Sequence, residues 1–193
     1  ALEDEGDSAA GESNDNKSSG AVMIAGYTNI AVDNVLERLL EMGFKTFCRI
    51  GNAKKISKSI RRFSRSAVTD AVCGVTCSSS ASEALRGIHF PVLFLDECSQ
   101  MVEASSLMPL VAAGAKRVLM VGDPCQLPPI SILGKERAMF VRLVAAGLRP
   151  IMLRTQYRLH PSMSRIPNEL FYGGSLIDGI EPSARPPLVD DLQ

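Results

Sequence analysis

Val92-Leu93-Phe94-Leu95-Asp96-Glu97-Cys98-Ser99-Gln100 is an uncharged apolar run that ends abruptly in two adjacent carboxylates and, three residues on, an amide. So short and uniformly apolar a run predicts a buried strand of a parallel sheet. The construction returns at Val118-Leu119-Met120-Val121-Gly122-Asp123-Pro124-Cys125-Gln126-Leu127-Pro128-Pro129, where apolar residues again give way to a carboxylate, an amide and turn formers. In open α/β sheets ligands bind beyond the carboxyl ends of the strands, so two such ends place their polar groups around one crevice. Carboxylates and amides at that edge suit a nucleotide phosphate with a divalent cation.

Working outward, Ala21 to Ala25 reads as a strand. Thr28 or Asn29 can cap a helix whose apolar positions Val32, Val35, Leu36, Leu39 and Leu40 recur at helical spacing up to Gly43. Further strands are expected at Thr46 to Ile50 and Ala71 to Thr76, with a short helical stretch after Cys77-Ser78-Ser79-Ser80. A helix is expected from about Met101 into Ala113, bent or broken at Pro109. Residues 135 to 146 have the spacing of a surface helix closed by Gly147. Strands alternating with helices imply an α/β fold, a parallel sheet covered by helices on both faces. The tail beyond Gly173 is rich in Gly and Pro, and no stable fold of its own is expected there.

Composition bounds these elements. The 193 residues are 46% hydrophobic with a formal net charge of zero, enough for one sizeable core and the start of another. Apolar stretches are short, and the chain opens on acidic residues where a secretory leader would be basic and then hydrophobic, so neither membrane insertion nor secretion is expected. Cys48, Cys73, Cys77, Cys98 and Cys125 form an odd set lying mostly in apolar runs, which suits buried, reduced thiols in an intracellular protein.

Charge is distributed unevenly. Residues 1 to 20 combine acidic with small polar side chains and read as a disordered insertion or linker. Gly43 to Val68 contains no Asp or Glu but carries Lys45, Arg49, Lys54, Lys55, Lys58, Arg61, Arg62 and Arg65, a footprint for an anion. A solvated loop would look the same. Clustered Lys and Arg favour the phosphate backbone of a nucleic acid, and Phe63 alone offers little for stacking bases.

Asp96 and Glu97 are neighbours at a strand end, so they point in different directions and divide their work. One carboxylate can hold Mg²⁺ while the other orients the water attacking a γ-phosphate. Acidic pairs also end strands in proteins where they do nothing catalytic. Gln126, in a loop stiffened by Gly122 and three prolines, can donate to a phosphate oxygen and accept from water, although a structural turn would use the same residues.

Taken in order, Tyr27-Thr28-Asn29-Ile30-Ala31-Val32-Asp33-Asn34, Val75-Thr76-Cys77, Asp96-Glu97-Cys98-Ser99-Gln100 with Glu103, Gly122 to Pro129, and Gln156-Tyr157-Arg158-Leu159-His160-Pro161 resemble the motifs of superfamily 1B helicases. More narrowly they resemble the up-frameshift-like group, and Arg49-Ile50-Gly51, Lys54 to Lys58 and Gly74 to Cys77 are similar to the DNA helicases that carry GRF zinc fingers. The resemblance covers residues 21 to about 180.

It implies a RecA-like parallel sheet of the P-loop NTPase type, incomplete, over residues 21–149, with a hinge and the start of a second RecA-like domain over 150–193. It also implies ATP and Mg²⁺ as cofactors and single-stranded DNA or RNA as partner. Movement would be 5′ to 3′, and the location nuclear or cytoplasmic, the subgroup favouring the nucleus. By position, Asp96 would hold Mg²⁺, Glu97 would activate water and Gln126 would couple the γ-phosphate to the nucleic-acid groove. Tyr157 would stack on adenine and Arg158 would reach the γ-phosphate as an arginine finger. Thr28, Asn29 and Thr76 match backbone-contacting motifs, to which the basic footprint adds Lys54 and Lys55. Gln100 and Glu103 resemble supports of the second strand-end motif, and His160 reads as structural.

Departures from the pattern are specific. A phosphate-binding loop should precede residue 21, and Gly11-Glu12-Ser13-Asn14-Asp15-Asn16-Lys17-Ser18 fits the spacing only. It has Asn16 for the second glycine, places Glu12 and Asp15 against the triphosphate, and lacks a preceding strand. Later motifs of the second domain are missing, and the segment between Lys54 and Val72 is shorter than the domain many relatives insert there. The chain is therefore expected to be a helicase portion that does not hydrolyse ATP efficiently alone. A non-catalytic nucleic-acid-binding regulatory module and an unrelated Mg²⁺-dependent phosphohydrolase stay open as alternatives.

Overall fold

The computed structural model describes residues 21–130 and 137–184. The acidic segment 1–20, with its phosphate-loop candidate, lies outside the described residues. The chain divides into two compact units, Ala1–Asp96 with Ala104–Met120, and Glu97–Glu103 with Val121–Gln193.

The first unit is a mixed α/β body built on a parallel sheet. Strands β1 (Val22–Gly26), β2 (Phe47–Ile50), β3 (Ser64–Arg65), β4 (Val72–Thr76), β5 (Val92–Asp96) and β6 (Arg117–Met120) lie in the order β3-β2-β4-β1-β5-β6. Every pairing is parallel. The apolar runs read as buried strands become β1, β4 and β5, and Met23, Ala25, Cys73, Val75, Leu93 and Leu95 are fully buried. β6 departs from that expectation: Val118 is 40% and Leu119 56% exposed. It is the outermost strand of the described sheet, paired with β5 alone, so its apolar side chains are covered on fewer sides.

Helix α1 (Asn29–Glu41) packs onto the sheet. Thr28 caps it, and Arg38 in its last turn complements the helix dipole. Ile24, Val32, Leu36, Phe47, Ile56 and Ile60 form the core cluster between helix, sheet and the following turns. Close approach of α1 to β4 depends on Gly74, where a Cβ would stand 2.6 Å from Leu36 Cδ1. Phe63, expected to matter only as a poor stacking residue, instead packs its ring 4.4 Å from that of Phe47.

Helix α2 (Glu103–Ala113) begins later than expected, after a 3₁₀ turn at Cys98–Gln100, and runs through Pro109 without a break. Pro109, whose nitrogen cannot make the helical hydrogen bond, is buried. After Cys77 the helical stretch is a pair of 3₁₀ turns, Ser78–Ala81 and Glu83–Leu85.

In the second unit α3 (Met139–Ala145) is shorter than the helix expected over 135–146. Residues 135–136 lie outside the described residues, and Ala138 is extended. Helix α4 (Pro161–Tyr172) starts with Pro161 behind the His160 cap and ends at Gly173 in a left-handed conformation, φ 56°. Beyond Gly173, where composition predicts no stable fold of its own, Ile177–Asp178 form β8, paired in parallel with β7 (Thr155–Gln156). Side chains of α4 hold it: Asn168 donates to Leu176 O at 3.0 Å and accepts from Leu176 N–H at 2.9 Å, and Ser164 Oγ donates to Asp178 Oδ1 at 2.7 Å.

Among the described residues no helix is long and apolar enough to cross a membrane. Cys48, Cys73, Cys77 and Cys98 are buried, whereas Cys125 is exposed because it sits on the Pro-rich loop, its thiol donating to Phe171 O at 3.3 Å.

Candidate functional site

Polar ends of three neighbouring strands line up at the carboxyl edge of the sheet. Parallel register sets Gly26 opposite Thr76 on one side and Asp96 on the other, so Thr76, Gly26 and Asp96 form one row. Two interstrand spacings separate Thr76 from Asp96, about 10 Å. From Gly26 the chain runs directly into Thr28 and Asn29, which puts four of the candidate residues on one rim.

Each polar group on that rim has local work. Thr28 Oγ1 accepts from Ala31 N–H at 3.1 Å as the helix cap. Thr76 is buried, its hydroxyl donating to Ser79 Oγ at 2.8 Å and accepting from Ser79 N–H at 3.3 Å. Asn29 Oδ1 accepts from Arg49 Nη2 at 2.8 Å. Lys54 and Lys55 are exposed on the 3₁₀ turn Ala53–Lys55, which Asn52 caps by accepting from Lys54 N–H at 3.0 Å.

Arg49 corrects the reading of the basic run. It was counted with the cations available to an anion, yet it is fully buried, with Nε donating to Asp33 Oδ1 at 2.8 Å and Nη1 to Ile50 O at 2.6 Å. Asp33 Oδ2 accepts in turn from Ser57 N–H at 2.8 Å. Residue counting missed this pair, but its signal was present: one charge inside an apolar strand, and one opposite charge on the buried side of an amphipathic helix. Neighbouring Glu37 accepts from Ser57 Oγ at 2.5 Å and from Ser59 Oγ, and these bonds hold its carboxyl below the ordinary range.

The second unit carries the other half of the acidic pair. Glu97 is left-handed at φ 55°, ψ 35°, the sole non-glycine with positive φ among the described residues. A side chain there costs about 1–2 kcal/mol, a strain found where geometry serves function. Gln100 Nε2 donates to Glu97 Oε2 at 3.2 Å, so Gln100 supports the first motif rather than the second. Glu103 likewise turns elsewhere, binding Arg142 of α3 through Nε at 3.0 Å and Nη2 at 2.5 Å.

Ser99, two residues beyond Glu97, and Asp123 tie the first strand-end turn to Gln126. Ser99 Oγ accepts from Asp123 N–H at 3.0 Å, and Asp123 Oδ2 accepts from Gln126 Nε2 at 2.8 Å and from Tyr172 Oη at 2.6 Å. Burial opposes ionisation of Asp123, but the bonds from Tyr172, Cys125 N–H and Gln126 outweigh it and lower its pKa. Tyr172, donating to that carboxylate, is pushed up to about 12. Gly122 is required by the close approach: a Cβ there would lie 2.8 Å from Ser99 N and 2.9 Å from Cys98 Sγ. With its amide nitrogen engaged by Asp123 and Tyr172, the exposed Gln126 has its amide oxygen to offer a ligand. The part of Tyr172 in holding Asp123 is not legible in the sequence, because the bond joins residues 49 positions apart.

Tyr157 and Arg158 stand on a separate turn, both exposed. Gln156 holds that turn: its Oε1 accepts from Arg158 N–H at 2.9 Å and Leu159 N–H at 2.7 Å, and its Nε2 donates to Leu159 O at 2.8 Å. Gly179 leaves room for the Tyr157 ring, since a Cβ there would fall 2.3 Å from Tyr157 Cε1. His160 accepts from Ser162 N–H at 3.2 Å and caps α4.

Among the described residues no group of three or more His, Cys, Asp or Glu could hold a metal ion. Mg²⁺ is usually bound through one or two carboxylates with phosphate oxygens and water, so the half-buried Asp96 carboxylate at a strand end fits it. A nucleotide finds a partial fit: the Gln126 amide is present, while a phosphate-binding loop is not among the described residues.

Two family models, each described as an AAA domain, match residues 68–132 and 135–192. The 5'-3' DNA helicase ZGRF1 of Mus musculus is 36% identical over 223 aligned residues, covering 89% of this chain and 12% of the relative. A Regulator of nonsense transcripts 1 homolog of Arabidopsis thaliana is 37% identical, covering 66% of the chain and 11% of the relative. Helicase SEN1 of Saccharomyces cerevisiae is 43% identical, covering 58% and 5% respectively. The chain thus spans 12% or less of the length of each of these three relatives. The first alignment is also longer than the chain, so that relative carries internal residues with no counterpart here. By its matched domains and these relatives, the chain belongs to the superfamily 1B helicases, in their up-frameshift-like group.

Proposed function

We propose that this chain is part of an ATP-dependent motor that moves 5′ to 3′ on single-stranded nucleic acid. The observation that carries the reading is the row Thr76–Gly26–Asp96 at the sheet edge, where a backbone-contact candidate and a metal-ligand candidate share one rim. DNA is the substrate proposed, because the mouse relative aligned over 89% of the chain is named a DNA helicase. The GRF-type wording of Arg49 to Lys58 supports the same choice, and with it an intracellular, nuclear site of action.

Asp96 would hold Mg²⁺, which when bound neutralises charge on the phosphates. Glu97, turned away from the strand by its left-handed backbone and steadied by Gln100, orients the attacking water and takes its proton. Gln126, fixed by Asp123, reads the γ-phosphate. Tyr157 stacks on the adenine, and Arg158 stabilises charge developing on the transferred group. Thr28, Asn29 and Thr76, with Lys54 and Lys55, grip the phosphate and sugar backbone. Residues 1–20 serve as an acidic insertion or linker, 21–149 as part of the first RecA-like domain, and 150–193 as hinge and start of the second.

The test is Glu97→Gln in the longer polypeptide that carries this chain. DNA-stimulated ATP turnover is expected to fall by about 10²–10⁴-fold with ATP binding retained. Wild-type turnover in that variant removes Glu97 from its role, and DNA binding indifferent to nucleotide favours the non-catalytic module.

A further inference from the structure

Arg49 is the largest fully buried side chain among the described residues, and its guanidinium ties three segments together. It donates to Asn29 Oδ1 at the start of α1, to Asp33 Oδ1 one turn later, and to Ile50 O at the end of its own strand. Asp33 carries the link onward through Ser57 N–H at 2.8 Å, which closes the turn bearing Lys54 and Lys55. Helix start and basic turn are therefore both fastened to one buried cation.

The chemistry of the fork settles how Asn29 is oriented. A guanidinium has five N–H donors and no acceptor, so the amide must meet it with its oxygen and present its NH₂ the other way. We infer that Arg49 is a positioning residue for nucleic-acid binding: it turns the Asn29 NH₂ outward as a donor to a backbone phosphate and holds the Lys54–Lys55 turn against the same helix. The inference rests on the reading of Asn29, Lys54 and Lys55 as backbone contacts. It adds that their grip is set by a residue that never touches the ligand. A lysine at position 49 would keep the charge but could not fork between Asn29 and Asp33 while also reaching Ile50 O.

Asn29→Asp separates this role from a merely structural one. The carboxylate still accepts from Arg49, so the folded chain keeps or gains thermal stability. It presents an acceptor and a negative charge, where the amide presented donors, to the phosphate. Binding of a fluorescein-labelled single-stranded oligothymidylate, followed by anisotropy at about 50 mM salt, is expected to weaken about tenfold or more. Arg49→Lys is expected to weaken binding about fivefold or more and to flatten the salt dependence toward that of a Lys54→Ala/Lys55→Ala variant. Each lysine removed lowers the slope of log K against log salt by about 0.7.

If Asn29→Asp binds as wild type while the double lysine variant binds weakly, the positioning role is overturned and the nucleic-acid reading stands. If the wild type fails to bind, or the double lysine variant binds equally well, the underlying reading falls and this inference with it. Should Arg49→Lys not fold, Asn29→Asp decides alone.

Discussion

The phenol of Tyr172, the last residue of α4, donates to Asp123 Oδ2 at 2.6 Å on the loop that holds Gln126. The bond pushes Tyr172 up to about 12 from 10.0 and helps to lower the pKa of Asp123. A raised tyrosine pKa contributes stability that is fully present below the unfolded value and lost as pH rises through the folded one. Alkaline destabilisation is therefore expected between about pH 10 and 12, of order 1 kcal/mol or less because the group is largely solvent-screened. Thermal midpoints measured across that range should fall further in wild type than in Tyr172→Phe. Asp123 works at the other end: its contribution is present above its unfolded value near 3.8 and disappears as pH falls below it.

Arg49 and Asp33 form an ion pair at 2.8 Å with side-chain exposures of 0% and 5%. Removing one partner leaves the other buried and unpaired. Arg49→Met is expected to destabilise the chain by about 3–5 kcal/mol, read as a lower urea midpoint with unchanged slope. The exposed pair Arg38–Glu41 provides the contrast, and Glu41→Gln should change stability by less than about 1 kcal/mol.

Gly74→Ala would place a methyl 2.6 Å from Leu36 Cδ1 and 3.1 Å from Val32 Cγ1. Overpacking of this kind is expected to cost about 1–3 kcal/mol. Leu36→Ala in the same chain removes the nearest clash, so a double-mutant cycle should give a favourable coupling energy; simple additivity would show that Gly74 has another purpose.

Glu97→Gly relieves the left-handed backbone at φ 55°. Stability is expected to rise by up to about 1 kcal/mol in urea denaturation while the proposed turnover is lost. A loss of stability instead would show that the Glu97 side chain holds the turn.

Gly179→Ala forces the Tyr157 ring aside, because the added carbon would sit within 2.3–2.6 Å of it. If Tyr157 stacks on adenine as proposed, nucleotide affinity in the longer polypeptide should drop by about tenfold, in the range of a lost stacking contact. Equal affinity would take Tyr157 out of that role.

Much of the sheet was legible because its signals are local. Val92 to Asp96 is an unbroken apolar run ending in a carboxylate, and Thr28 stands just before a helical apolar repeat; both predict their elements without knowledge of any neighbour. Arg49 escapes a charge count because such a count cannot see that Asp33, 16 positions away in the chain, meets it. Past Gly173, Gly and Pro speak against regular structure locally, and the short strand Ile177–Asp178 forms where Asn168 and Ser164 of α4 bind this stretch into place.

Residue types and their order suffice for the runs, caps and motifs, and hence for family membership, because those depend on neighbours along the chain. Strand order β3-β2-β4-β1-β5-β6, the row that sets Thr76 and Asp96 on one rim, the left-handed turn at Glu97 and the burial of Arg49 were decided only by tertiary structure. Each of these arises when chemically distant residues compete for the same buried hydrogen bonds and volume, and that competition exists only once the chain has folded.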